Sequence, residues 1–230
     1  MRKCLYFIVF IVLTGFVSCS EEETVYSCDE QTNEWVKTNL SVIRNMSRQQ
    51  WKTLSQIKKI PVYRAFSQVQ KLNFWKDKLA ETLKLDWTDE EKKHILQLYN
   101  FITENPDIFR DGGMSDEMQD KYDLFFYEWT EFAKEKLGWK MNTMVAIAGS
   151  GDEMTNKSGT VNEKNKSKIN GFGDFGVVDR FSCNCNLTYD FCAFPMGGGS
   201  TCVDFDCDAT SSGCGWFLVS SCNGSCNDFY

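Results

Sequence analysis

The side chains able to do chemistry in this 230-residue chain are 11 cysteines and one histidine, His94. One histidine excludes most His-centred sites, including Ser-His-Asp, Cys-His and multi-His metal centres. His94 follows Lys92 and Lys93, with no acidic or Cys partner at ligand spacing, so it reads as a boundary-face helix residue. The carboxylates are scattered through charged helices, and no pair stands out as general acid and base. The sequence therefore points away from an enzyme and calls for no cofactor.

Eight of the 11 cysteines, Cys183, Cys185, Cys192, Cys202, Cys207, Cys214, Cys222 and Cys226, lie within residues 181–230, while all 25 Lys and Arg precede Phe181. A 50-residue core is too small to offset its own ordering entropy, whereas each disulfide contributes roughly 2–4 kcal/mol by restricting the unfolded chain. A zinc site would need His or paired CxxC spacing, and a redox enzyme would need a CxxC. Neither is present, so the cysteines read as a disulfide framework. Cys183 and Cys185 are too close to bridge each other and should each find a distant partner. Gly215 to Val219 is strand-like, and Cys222-Asn223-Gly224-Ser225-Cys226 has the form of a tight hairpin. Asp204, Asp206 and Asp208 alternate, as a hard-cation site or a solvated strand edge would.

An address precedes these elements. Arg2-Lys3 and the apolar run Leu5 to Val17 form a secretory signal, too short to span a bilayer comfortably. Phe16-Val17-Ser18-Cys19 resembles a bacterial lipobox, which implies lipidation of Cys19. Ser20, Glu21, Glu22 and Glu23 behind it resemble the surface-export signal of Bacteroidota lipoproteins, which implies attachment to the outer membrane at the cell surface. Plain secretion and a retained anchor helix are the alternatives.

Residues 29–148 carry the pattern of a small helical bundle. Ser47/Gln50, Ser67/Gln70 and Thr88/Glu91 have capping-box spacing, and Ser115 opens a fourth helix. Apolar stripes run through Leu72, Trp75, Leu79 and Leu83, through Ile95, Leu98, Tyr99 and Ile102, and through Met118, Tyr122, Phe125, Trp129, Phe132 and Leu137. Trp51, Trp75, Trp87, Trp129 and Trp139 are the expected core anchors. Residues 141–148 read as a tail packed on the bundle. Residues 149–180 are polar and Gly-rich, a flexible linker exposed to proteases. The organisation is thus a signal peptide (1–18), an acidic tether (19–28), a mainly α domain (29–148), a linker (149–180) and a disulfide-rich module with a β-hairpin (181–230). Cys28 is the odd thiol.

Within the module, Cys183-Asn184-Cys185, Tyr189-Asp190-Phe191-Cys192, Gly213-Cys214-Gly215-Trp216, Cys222-Asn223-Gly224 and the Phe229-Tyr230 end resemble the bacteriocin fulvocin C-related family. The resemblance implies antibacterial activity delivered by the C-terminal peptide, with the helical half as leader or carrier. The module carries five Asp and no basic residue, which argues against charge-driven attack on anionic membranes and for a bacterial cell-surface receptor. The alternative is a surface lipoprotein used for adhesion or ligand binding. The acidic chain, with no basic patch, gives no reason to expect nucleic acid as a partner.

Overall fold

The computed structural model describes residues 24–162, 181–183, 185–189, 191–192, 201–204 and 207–227. The protein is mainly helical with a small β region near its C-terminus, as the pattern of stripes and caps requires. The helices are α1 (Glu30–Thr38), α2 (Leu40–Ile43), α3 (Arg48–Trp51), α4 (Gln56–Arg64), α5 (Gln68–Thr82), α6 (Asp89–Glu104), α7 (Asp116–Glu135) and α8 (Met141–Ala148), with a 3-10 turn at Pro106–Phe109. All three expected capping boxes form, at the starts of α3, α5 and α6, and each satisfies two backbone N–H groups reciprocally. The Ser115 hydroxyl accepts from the Met118 N–H to start α7. None of the helices among the described residues is long and apolar enough to cross a membrane.

The five tryptophans expected in the core are buried. On α7, however, the buried stripe is Tyr122, Phe126, Trp129 and Ala133, with Phe125 half-buried and Phe132 40% exposed. Both stripes fit a helical period, and Trp216 decides between them. Its indole stacks on Phe126 at 5.2 Å and an interplanar angle of 4°, which turns that ring inward. His94 is also buried rather than at the boundary. Its Nε2 meets the Trp129 carbonyl at 2.9 Å, the Trp129 Nε1–H donates to the His94 carbonyl at 3.1 Å, and the two rings stack at 4.9 Å.

The boundary expected at residue 149 moves. Residues 149–162 pack on the bundle, with Met154 buried and bridged to Val161. The sequence looked too polar to order itself because its contacts are made by charge. Lys59 Nζ meets Asp152 Oδ1 at 2.5 Å, Lys78 Nζ donates to the Asp152 carbonyl at 2.5 Å, and Arg48 Nε donates to the Gly151 carbonyl at 3.0 Å. Residues 163–180 of the expected linker lie outside the described residues.

The β region comprises β1 (Phe181–Ser182), β2 (Thr201–Val203), β3 (Cys207–Asp208), β4 (Thr210–Cys214), β5 (Ser220–Cys222) and β6 (Ser225–Asn227). Three two-stranded pairings join β1 to β3 in parallel, and β2 to β6 and β4 to β5 antiparallel. The hairpin is therefore β4–β5 and not the Cys222–Cys226 turn. Asn223-Gly224 instead crosses between two pairs, and both of its N–H groups donate to the Cys185 carbonyl. The expected strand at Gly215–Val219 is likewise a 3-10 turn at Trp216–Leu218, with Phe217 and Leu218 at φ of 54° and 55°. Such backbone strain in bulky residues persists only where surrounding structure fixes it. Here the bundle does so: Phe217 lies 4.9 Å from Trp75 and 5.4 Å from Phe126, and is fully buried. Module and bundle thus share one core, which corrects the expectation of a separate module.

Candidate functional site

The described disulfides are Cys185–Cys202, Cys192–Cys226 and Cys214–Cys222, and Cys183 is also disulfide-bonded. Cys185 bridges 17 residues away, so the two neighbouring cysteines do seek separate partners. Cys183 forms a small buried cluster with Cys214 of β4 and Cys222 of β5. The sulfurs of Cys185, Cys192 and Cys202 lie within 4.8 Å of one another, because Cys202 on β2 stands opposite Cys226 on β6 and stacks two bridges side by side. As disulfides these sulfurs offer no thiolate, so the cluster is a staple. The Cys207 side chain lies outside the described residues, as do Cys19, Ser20, Glu21, Glu22 and Glu23. Asp204 is exposed, and the side chains of Asp206 and Asp208 are likewise outside the description.

A cleft among the described residues was not legible in the sequence. It measures about 260 Å³, and its walls come from three parts of the chain: Thr24 to Tyr26 near the N-terminus, the ends of α2, α4 and the 3-10 turn, and Ser211, Ser212, Leu218 and Val219 of the module. Tyr63, Phe66 and Phe109, all buried, supply apolar wall. Arg44, Arg64, Lys71 and Arg110 line it against a single carboxylate, Asp111. Each is placed by a helix boundary. Arg44 caps α2, Arg64 ends α4, Lys71 sits in the first turn of α5, and Arg110 follows the 3-10 turn. Because they are spread over separate elements with no common period, only folding brings them together.

Arg64 does structural work there. Its Nε donates to the Ser212 carbonyl at 2.7 Å, Nη1 to the Tyr26 carbonyl at 2.9 Å and Nη2 to Thr210 Oγ1 at 2.9 Å, so one guanidinium ties all three walls. Burial pulls its pKa down to about 10, with Cys28 opposing, which leaves it charged at neutral pH. Lys71 pairs with Asp111 at 3.3 Å, and Arg110 folds back on the Gly113 carbonyl at 3.3 Å. Gly112 and Gly113, both at φ +89°, bend the rim in a conformation only glycine adopts without strain. Arg44 is exposed at the mouth. Four cationic side chains against one carboxylate leave the lining net positive.

The second concentration of charge is the layer that holds Gly151 to Glu153. Arg48 pairs with Glu81 at 2.7 Å, Lys52 with Glu81 at 2.7 Å and with Glu153 at 3.4 Å. Lys78 is fully buried, and burial followed by Arg48 repulsion brings its pKa down to about 7. Its amine donates to the Asp152 carbonyl. Comparison of the chain with protein-family models, curated proteins and solved structures gives no match.

Proposed function

We propose that this protein is a cell-surface lipoprotein in which the helical body and the disulfide module together form a receptor for a small anionic ligand. The observation that carries the reading is the cleft itself: module, body and N-terminal segment each contribute a wall, and four cationic side chains face one carboxylate. A cavity with apolar walls and a few convergent charges is the usual form of a small-molecule site. The lipidated Cys19 and the acidic run Glu21 to Glu23 supply the address, and no enzymatic step is assigned. Of the two functions weighed from the sequence, this favours ligand binding over toxicity.

The test uses residues 24–230, oxidised, with phosphate, sulfate and glucuronate as probes in thermal unfolding. An anion that binds raises Tm, by an amount equivalent to about 2.7 kcal/mol at a hundred times its Kd. Arg44→Glu at the mouth should abolish the rise without lowering the ligand-free Tm. Equal shifts in wild type and Arg44→Glu, or no shift with any of the three anions, would contradict the reading.

The bacteriocin-like reading keeps one observation in its favour. Trp216, Phe217 and Leu218 are large apolar residues of the module that the bundle covers completely enough to leave each under 7% exposed. A toxin held inactive until a cut between residues 162 and 181 would be stored in this way. It ranks second because its release opens the core of the body that carries it.

A further inference from the structure

We infer that the trough between α6 and α7 is a docking site for a cationic segment of a partner protein, a role separate from the anion cleft. His94, Gln97, Phe101 and Glu104 on α6 face Phe125, Glu128, Trp129 and Phe132 on α7, at spacings that keep each set on one side of its helix. The floor is aromatic. Phe101 and Phe125 stack at 3.9 Å and 9°, and the His94 ring lies 4.9 Å from both Trp129 and Phe132.

The openings, of about 430 and 470 Å³, share His94, Gln97 and Phe132 and so form one continuous trough. A helix of 16 residues is about 24 Å long, so the trough has the proportions of a peptide groove. Its rim is acidic, with Asp89 and Glu90 at the α6 N-terminus, Glu104 at the other end and Glu128 along the α7 side. Lys93 is the one Lys or Arg among the lining residues. Burial holds the His94 imidazole below its ordinary pKa, so it adds no positive charge at neutral pH. The accessible parts of Phe125 and Phe132, set beside carboxylates, attract Lys and Arg side chains, both through the ring quadrupole and through the charges. This match of sign selects a basic segment over an acidic or purely apolar one. Phe132, 40% exposed although its neighbours are buried, is the ring left for the partner to cover.

The test is fluorescence anisotropy with residues 24–230 and a labelled peptide of alternating Lys and Leu, about seven residues long so that its extended chain spans α6, against a Glu-for-Lys counterpart. The Lys peptide should bind more tightly, and Phe132→Ala, Glu104→Gln and Glu128→Gln should each weaken it by about two- to fivefold. Asp77→Asn, an exposed charge on α5 away from the trough, should change nothing and controls for the overall acidic charge of the protein. Equal binding of both peptides, absence of binding, or a loss in Asp77→Asn as large as in the trough variants would overturn the inference.

Discussion

The Tyr63 hydroxyl donates to the backbone carbonyl of Phe217 at 2.7 Å and accepts from the Trp75 Nε1–H at 2.9 Å. One fully buried phenol therefore links α4 and α5 to the strained tip of the β4–β5 hairpin. Tyr122 repeats the contact from α7, donating to the Trp216 carbonyl at 2.7 Å. Both hydroxyls are pushed well above their ordinary pKa by burial, so they remain protonated donors across the working range. Two independent side chains hold two successive carbonyls of the module, and the rings between those carbonyls complete the bundle core.

If module and bundle share this core, they unfold together. Phe217→Ala should destabilise the whole protein by about 3–5 kcal/mol, and helical ellipticity and tryptophan fluorescence should still fall in one coincident transition. A variant that loses fluorescence early while its helices melt at the wild-type temperature would contradict the shared core.

Arg64 gives a second handle on the same junction. Arg64→Met keeps much of the apolar stem and removes three donors, leaving the Ser212 and Tyr26 carbonyls without that partner. The expected cost is about 2–4 kcal/mol by urea unfolding, together with loss of anion binding, because the three walls are no longer tied. Wild-type stability in Arg64→Met would show that the walls are held by packing alone.

Ordering of residues 149–154 is tested by Gly151→Ala. An added Cβ would fall 2.5 Å from Phe74 Cζ and 2.8 Å from Trp51 Cη2, neither ring being free to retreat from the core. The cost should be about 1–3 kcal/mol. An unchanged urea midpoint would mean that this segment is not seated between those rings in solution.

The buried Lys78 makes stability depend on pH in a definite direction. Its folded pKa is about 7 against an ordinary 10.5, so between these values the unfolded chain holds a proton that the folded one has released. Stability contributed by this group therefore rises with pH through that window, and below about 7 the full cost of burying the charge is present. Desolvation and the neighbouring Arg48 and Lys52 lower the pKa, while Glu81 and Asp152 oppose them. Lys78→Met should flatten the rise in urea midpoint between pH 7 and pH 9 relative to wild type. An identical rise in both proteins would assign it to other groups.

The bridges should differ in weight. Cys214–Cys222 closes 8 residues and Cys192–Cys226 closes 34. Loop-closure entropy gives about 2.5 and about 3.8 kcal/mol respectively. Paired Cys→Ala variants, compared by urea unfolding, should fall in that order, and the reverse order would mean that the native contacts of β4 and β5 outweigh chain entropy.

What could be read in advance follows the range of the interactions. Capping boxes, helical period and cysteine density are local, and they placed the helices at Arg48, Gln68 and Asp89 and the stapled β region correctly. Long-range effects were invisible. Nothing local in Ser150-Gly151-Asp152-Glu153 announces a segment held by Arg48, Lys59 and Lys78, because those partners lie at least 74 residues away. The Trp216–Leu218 run looked like a strand because bulky apolar residues favour one, and its partners on α5 and α7 override that preference. The cleft cations were equally hidden, being joined only by the fold.

Module and body share one core, and the most direct test cuts them apart. A site-specific protease sequence placed between residues 162 and 181 allows cleavage of the oxidised, folded protein without touching the described core, followed by size exclusion in native buffer. The two pieces should elute together, still bind the anion found with intact protein, and separate only in denaturant. A module that leaves as a free, folded peptide and inhibits bacterial growth, while the helical body stays soluble and folded, would contradict the account and restore the toxin reading.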